Sequence, residues 1–120
     1  MSDLRIAVVG AGLMGADHII RINSRIVGAV VTAVVEPDEG RARAAMENAP
    51  SATWYSSIED ALQAQAIDAV LIATPGQFHE PVLMPVLAAG LPILCEKPLT
   101  PDSASALRVV EAEMAAGKKL

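Results

Sequence analysis

Five short apolar segments alternate along the chain with longer segments in which apolar residues recur at the spacing of a helix. The short segments contain many β-branched residues and end near Gly, Pro or acidic residues, which is typical of strands buried on both faces. The pattern predicts strands over residues 4–9, 29–35, 52–55, 68–75 and 93–95. It predicts helices over residues 16–26, 38–48, 79–89 and 101–116, and a further one that begins at the capping box of residues 56–60.

This alternation predicts one α/β domain over residues 1–120. Successive strands joined by helices pair in parallel, and the connecting helices cover both faces of the sheet. We therefore expect a doubly wound parallel sheet, the Rossmann fold, with strand order 3-2-1-4-5. Gly117 is expected to end the last helix, and residues 118–120 are predicted to open a sixth strand that is cut off.

The spacing of apolar residues also predicts which helix faces are buried. The buried face of the first helix is expected to hold Ala16, Ile19, Ile20, Asn23 and Ile26. Asp38 is the expected N-cap of the second helix. The last helix is predicted to begin at the N-cap Thr100, with Pro101 in its first turn, and to pack through Leu107, Val110 and Met114.

A G-x-G-x-x-G turn joins the first strand to the first helix, with its glycines at Gly10, Gly12 and Gly15. Gly10 is expected to allow a tight exit from the strand, Gly12 to let a pyrophosphate approach the backbone, and Gly15 to let the helix pack closely. The amides of Gly12, Leu13 and Met14 then point at a phosphate, whose charge the helix dipole favours. The turn therefore predicts a dinucleotide site.

Glu36 ends the second strand, 21 positions beyond Gly15, close to the roughly 20-residue spacing of a carboxylate that binds the adenosine ribose. Such a carboxylate accepts hydrogen bonds from both ribose hydroxyls and repels a 2′-phosphate, so the expected cofactor is NAD rather than NADP. Arg41 and Arg43 leave an alternative open, because an arginine just past the acid could hold a 2′-phosphate. We favour the interpretation that both arginines lie on a solvated helix face.

In a doubly wound sheet the fourth strand ends beside the first, so residues 74–79 are expected in the loop over the cofactor. Thr74, Pro75 and His79 are the candidate cofactor-binding residues there. His79 has two open interpretations, a direct cofactor contact or a helix-start residue bonded to backbone. His18, on the first helix, is expected at a domain surface and is assigned no role.

Lys97 follows the fifth strand at the same edge of the sheet, where a lysine can hydrogen-bond a substrate hydroxyl. It is the candidate catalytic residue. Glu96 is placed with the cofactor-binding residues, and it either pairs with another cation or orients the loop. The alternative for both is a surface Glu–Lys pair, but their position in the crevice favours function. Cys95 is expected to be a buried small hydrophobe rather than a nucleophile.

Composition excludes several classes of partner. The net charge is −5 with no basic run, and the three aromatic residues offer no base-stacking platform, so nucleic acid is not expected. A single cysteine excludes a disulfide framework and favours a reducing cytoplasm. The longest apolar stretch, residues 26–35, is too short to span a bilayer, and the N-terminus lacks the pattern of a signal peptide. No metal site is predicted.

Three motifs, AVVGAGLMG, ATPGQFH and CEKPLT, together resemble the glucose-fructose oxidoreductase / inositol dehydrogenase / rhizopine catabolism family. The resemblance covers the whole chain, its inositol dehydrogenase branch is the most similar, and Glu96-Lys97-Pro98 is the most specific motif. It implies an NAD(P)-dependent oxidoreductase in which hydride passes between a hydroxyl-bearing carbon of a sugar, polyol or inositol and C4 of nicotinamide. The resemblance also implies the roles given above to the glycine turn, Glu36, the loop of residues 74–79 and Lys97.

Two departures from the family pattern change what is expected. Gly76 stands where such proteins often carry an asparagine or serine, so a side-chain contact is missing. The family also has a second α/β domain that supplies an aspartate and a histidine, and this chain ends before it. We therefore expect the N-terminal half of a homo-oligomeric enzyme, inactive by itself and prone to self-association. A nucleotide-binding sensor without chemistry is the alternative, and the presence of Lys97 favours the enzyme.

Overall fold

A computed structural model describes residues 2–64, 66–117 and 119–120. Within them the chain forms parallel strands and helices in alternation. In order, these are β1 Leu4–Val9, α1 Leu13–Arg25, β2 Ala29–Val35, α2 Glu39–Met46, β3 Thr53–Tyr55, α3 Ile58–Gln63, β4 Ala69–Ile72, α4 His79–Ala88, β5 Ile93–Cys95 and α5 Ser103–Ala116. Strands β1, β2 and β5 have the predicted bounds, and β3 and β4 are shorter than predicted. A 3-10 turn, Gly76–Phe78, precedes α4.

The strands form one parallel sheet in the order β3-β2-β1-β4-β5, which confirms the predicted topology. Val9 at the end of β1 is level with Val35 of β2 and with Ile72 of β4, and Ile72 is level with Cys95 of β5. Four strands therefore end in register at one edge, so the loops that follow them meet there.

The core has two layers, one on each face of the sheet. On one face α1 and α2 cover a cluster that includes Val8, Val34 and Leu71. On the other face α3, α4 and α5 cover a second cluster, which includes Ala7 and Val9. Along β1 these residues alternate with Val8 of the first cluster. Because successive side chains of a strand point to opposite faces, both faces of β1 are buried over residues 7–9, as the apolar pattern there predicts.

Helix α1 begins three residues earlier than predicted, and its predicted buried face is right at Ile19 but wrong at Ile20 and Ile26. Gly15, Ile19 and Ile22 are buried, whereas Ile20 and Ile26 are 42% and 52% exposed. Gly15 lies against the backbone of the glycine turn, and this contact fixes the rotation of the helix about its axis. The face toward the sheet therefore follows residues spaced four and seven positions beyond Gly15.

The start of α5 also differs from the prediction. Asp102, and not Thr100, is the N-cap, because its carboxylate accepts a hydrogen bond from the Ser105 amide at 2.8 Å. Thr100 instead donates its hydroxyl proton to the carbonyl of Asp102. By contrast, Asp38 caps α2 as predicted by accepting from the Arg41 amide.

The buried face of α5 also differs from the predicted one. Leu107, Val110 and Met114 are 58%, 42% and 75% exposed. Ser105 and Val109 are buried instead. Small side chains at the contact let α5 approach α4 closely, so the larger apolar residues lie on the outer side of the helix. An apolar face of α5 is consequently exposed in this chain.

The last residues lie beside β5. Gly117 ends α5 with a φ of 68°, as predicted. The predicted sixth strand falls on residues 118–120, of which residue 118 lies outside the described residues. The carbonyl of Lys119 accepts a hydrogen bond from the Ile93 amide of β5. Among the helices described, none is long and apolar enough to cross a membrane.

Arg5 and Asp68 join β1 to the start of β4 at the opposite edge of the sheet. The amide, Nε and Nη2 of Arg5 all donate to the Asp68 carboxylate at 2.9–3.0 Å. Hydrogen bonds from the Arg5 side chain, and then from its amide, lower the pKa of Asp68 from 3.8 to about 2. The folded state is thus favoured by the ionised carboxylate.

Replacing Asp68 by Asn should lower the Tm at pH 7, and the loss should disappear at low pH. A carboxylate with a lowered pKa stabilises the fold above its unfolded pKa of 3.8 and loses that contribution as pH falls through about 2. Thermal unfolding of both proteins from pH 7 to pH 2 measures this. Asp17→Asn, which breaks an exposed pair with Arg21 inside α1, is the matched control and should cost less. A Tm difference that stays constant down to pH 2 would contradict the assignment.

Candidate functional site

A crevice of about 880 Å³ lies at the edge where β1, β2, β4 and β5 end. Its walls come from the glycine turn, the end of β2, and the loops that follow β4 and β5. Most of the predicted site residues line it: Gly10, Gly12, Leu13, Met14, Glu36, Thr74, Pro75, Glu96 and Lys97. Gly15 and His79 are not among the lining residues and have other contacts.

Each glycine of the turn meets a different steric requirement. Gly10 has a φ of +94°, and a Cβ there would lie 2.8 Å from the Thr74 amide nitrogen. A Cβ on Gly15 would overlap the carbonyl oxygen of Gly10. Around Gly12, in contrast, a Cβ would meet no atom within 4 Å. Gly10 and Gly15 therefore allow close backbone packing, whereas Gly12 leaves open space in the crevice.

The N-terminus of α1 faces this open space. Gly12 is the N-cap and supplies no side-chain hydrogen bond, and the first turn contains no acidic residue. The first amides of a helix lack partners within the helix and carry the positive end of its dipole. Thr74 Oγ1, in the loop beside Gly10, is buried with no hydrogen-bond partner in the described part of the chain. The open N-terminus of α1 fits the diphosphate of a dinucleotide.

Glu36 lies at the other end of the crevice with only 4% of its surface exposed. Its Oε1 accepts from the Ala11 amide at 2.9 Å, and its Oε2 accepts from the Asp38 amide at 2.9 Å and from Arg41 Nη2 at 3.2 Å. Burial raises the pKa of Glu36, but the hydrogen bonds from Arg41, Asp38 and Ala11 outweigh it, and the pKa is lowered overall. The side chain is therefore an anion.

These contacts limit what the Glu36 carboxylate can accept. A carboxylate has about four lone-pair positions, and three are occupied. One ribose hydroxyl could bond to Oε1 directly, whereas a second would have to displace Arg41. The sequence-based expectation of two ribose bonds thus depends on movement of the arginine, whose side chain is 56% exposed.

The two arginines of α2 differ from each other. Arg43 pairs with Glu39 on the outer side of the helix, which agrees with the solvated-face interpretation. Arg41 is also exposed, but it lines the crevice and pairs with Glu36, which the solvated-face interpretation did not include. An arginine at this point could attract a phosphate on the adenosine ribose, but here its charge is paired with a carboxylate.

His79 is fully buried and bonded to backbone. Its Nε2 lies 2.6 Å from the carbonyl oxygen of Thr74, and its Nδ1 lies 3.0 Å from that of Leu99. Of the two interpretations of His79, the geometry favours the backbone-bonded one. The imidazole connects the loop after β4 with the loop after β5 beneath the crevice.

Cys95 lies beside this imidazole, with its Sγ 3.4 Å from Nδ1 of His79. Burial, with a smaller contribution from the charge of Glu96, raises the pKa of Cys95 to about 11. The group is therefore a thiol at neutral pH and a poor nucleophile. The described residues also contain no group of three or more His, Cys, Asp or Glu side chains placed to hold a metal ion.

His18 was assigned no role by the sequence interpretation, but it contacts a residue that lines the crevice. Its Nε2 donates to Oε1 of Glu96 at 2.7 Å. This bond lowers the pKa of Glu96, against the opposing effect of burial. Two sequence patterns could have revealed this pair. His18 is three positions beyond Gly15, on the sheet-facing side of α1. Glu96 directly follows Cys95, which packs on the other face of the sheet, so Glu96 is expected on the face covered by α1.

Lys97 is exposed at the wall of the crevice, next to Glu96. No carboxylate of the described residues lies within 4.0 Å of its Nζ. Its ammonium group can therefore donate hydrogen bonds to a molecule in the crevice. The expected position of Lys97 at the sheet edge agrees with the structure.

A doubly wound sheet, an open helix N-terminus after a G-x-G-x-x-G turn and an anionic Glu36 at the end of β2 define a dinucleotide-binding domain. Residues 4–120 match the family model of an oxidoreductase family with an NAD-binding Rossmann fold. The chain belongs to this family, the one that its three motifs resemble.

Relatives with high identity have one description in common. An inositol 2-dehydrogenase of Corynebacterium glutamicum strain R is 69% identical over 110 residues, which are 92% of this chain and 33% of that protein. One from Leifsonia xyli subsp. xyli is 67% identical over 111 residues, 92% of this chain and 32% of that protein. The chain thus spans about a third of the length of these relatives.

A solved structure of an inositol dehydrogenase is also similar to this chain. Myo-inositol dehydrogenase from Lactobacillus casei, in complex with NAD(H) and myo-inositol, superposes with a TM-score of 0.90 at 33% identity. The match covers 94% of this chain and 34% of that one.

Gly15→Ala should destabilise the fold, and Gly12→Ala should leave it nearly unchanged. The added methyl at residue 15 overlaps the Gly10 carbonyl, and such overpacking costs about 1–3 kcal/mol. At residue 12 the methyl enters open space, so the cost should stay below about 1 kcal/mol, the loss of a favourable N-cap. Urea unfolding of both variants measures the difference. Equal free energies of unfolding would contradict the proposed contact between α1 and the turn.

Proposed function

We propose that the chain is the NAD-binding domain of an oxidoreductase that transfers hydride between a hydroxyl-bearing carbon of an inositol, polyol or sugar and nicotinamide. The observation that supports it most directly is the crevice itself. It brings an open helix N-terminus, an anionic Glu36 and the exposed Lys97 to one edge of the sheet. The inositol 2-dehydrogenases at 67–69% identity support the substrate class.

In this proposal the cofactor lies across the ends of β1, β2 and β4. The amides of Gly12, Leu13 and Met14 bind the diphosphate, and Glu36 accepts from the adenosine ribose. Thr74 and Pro75 form the wall beneath the nicotinamide end, with Glu96 beside it. When bound, NAD supplies the hydride acceptor at C4 of its nicotinamide.

Lys97 is the proposed catalytic residue. Its ammonium donates a hydrogen bond to the oxygen of the reacting hydroxyl and stabilises the negative charge that grows there as the proton leaves. The proton needs an acceptor, and Glu96 and His18 are bonded to each other. We therefore propose that the base belongs to a second domain, which the family resemblance implies.

We also propose that the whole protein is a cytoplasmic homo-oligomer that acts on small molecules. The single cysteine, present as a half-buried thiol, supports a reducing compartment. The exposed apolar residues of α5 support self-association, because apolar patches of this kind are commonly covered by a partner. The alternative of a sensor without chemistry leaves the exposed Lys97 of the crevice without a function.

The chain should bind NAD about tenfold to a hundredfold more tightly than NADP. A 2′-phosphate near the Glu36 carboxylate should cost on the order of 1–3 kcal/mol. Calorimetric titration of both cofactors measures the ratio, and Glu36→Ala should narrow it. Arg41→Ala should widen the ratio by removing a cation, and Arg43→Ala, paired with Glu39 away from the crevice, is the matched control. Equal or tighter NADP binding would overturn the role of Glu36.

The isolated chain should bind NADH and turn over no polyol, whereas the full-length protein should oxidise myo-inositol with NAD. The absence of a general base alone removes roughly 10²–10⁴ in rate, and the absence of substrate alignment removes more. In the full-length protein Lys97→Ala should abolish NADH production while the NADH dissociation constant stays within about threefold, since its ammonium acts on the substrate. Lys119→Ala is the control lysine. Robust turnover by the 120-residue chain would refute the proposed second-domain base.

A further inference from the structure

A single side-chain contact connects the cofactor helix with the loop of the candidate catalytic lysine. His18 lies in the second turn of α1, and Glu96 follows β5, 78 positions later in the chain. Their side chains are 22% and 27% exposed, so the pair is mostly shielded from solvent. Ion pairs and hydrogen bonds to charged groups are stronger there than at an open surface.

The fold aims both side chains at each other. Gly15 sets the rotation of α1, and His18 and Ile22 then lie on the same side of the helix as Gly15. Along β5, Cys95 packs into the core on the α4 side, so Glu96 points to the α1 side. The other charged residues of this part of α1, Asp17 and Arg21, are paired with each other.

The Glu96 carboxylate has a second possible partner next to it in sequence. Lys97 carries an ammonium group, and its charge lowers the pKa of Glu96, although less than the bond from His18 does. A carboxylate released from His18 could fold toward this ammonium and pair with it. Such a pair would compete with a substrate hydroxyl for the hydrogen bonds of Lys97.

We propose that His18 is a positioning residue that holds Glu96 against α1 and thereby keeps Lys97 unpaired at a fixed distance from the N-terminus of that helix. This inference rests on the proposed function, in which Lys97 binds the reacting hydroxyl and α1 binds the diphosphate. The His18–Glu96 bond then sets the spacing between the cofactor and the catalytic ammonium. Misplacement of a catalytic group by about 1 Å can cost roughly a hundredfold in rate.

The test compares His18→Leu with His18→Gln in the full-length protein. Gln places an amide N–H near the position of the imidazole Nε2, so it keeps the bond to Glu96, and Leu keeps only the bulk. For His18→Leu we expect kcat with myo-inositol and NAD to fall about tenfold to a hundredfold, with the NADH dissociation constant within about threefold. His18→Gln should recover most of kcat. Arg21→Ala, which breaks a more exposed pair on the same helix, is the matched control and should leave kcat unchanged.

A second measurement does not depend on turnover. In amide NMR spectra, His18→Leu should shift the resonances of Glu96 and Lys97, and Arg21→Ala should not. If the wild-type protein binds no NADH, the proposed function fails, and these resonances still decide whether His18 holds the loop. If the wild-type protein is active, equal kcat values for His18→Leu and His18→Gln would overturn the inference. Resonances of Glu96 and Lys97 that stay in place in His18→Leu would overturn it as well.

Discussion

The contact between Gly15 and the carbonyl of Gly10 determines most of what the site can do. Because the backbone of α1 lies directly against the turn, the helix has one permitted rotation and one permitted depth. That rotation points the first amides of α1 into the crevice and places His18 opposite Glu96. A side chain at residue 15 would move the helix outward. The first amides of α1 would then leave the crevice, and His18 would separate from Glu96. The absence of a Cβ at Gly15 therefore determines both how α1 packs and how the groups of the site are arranged.

The strands of this chain could be predicted well, and the orientation of its helices could not. Apolar runs such as residues 6–9 and 33–35 are unambiguous, since both faces of a central parallel strand are buried near its carboxyl end. In a chain whose residues are 52% apolar, however, a helix shows apolar residues on several faces. For α5 the larger Leu107 and Met114 indicated the wrong face, because a close helix contact prefers small residues.

In the candidate site, too, the positions of residues could be predicted, but the contacts of their side chains could not. The sheet-edge positions of Gly10, Glu36, Thr74 and Lys97 follow from topology alone, so the sequence located them correctly. The partners of those residues depend on side-chain direction. His18 was missed because its contact requires the rotation of α1. The pairing of Arg41 with Glu36 was missed because a solvated arginine and an arginine over a carboxylate have the same sequence pattern.

His79 determines how the two sides of the crevice respond to a ligand. The imidazole lies between the carbonyl oxygens of Thr74 and Leu99 and donates its N–H to one of them, so it packs together two loops that are otherwise separated by a helix and a strand. These loops therefore behave as one rigid wall that is already ordered when a ligand arrives. The conformational entropy of that wall is lost during folding and does not weaken binding. Adjustment to a ligand is then left to the opposite side of the crevice, where the exposed Arg41 can exchange its carboxylate partner for a new one.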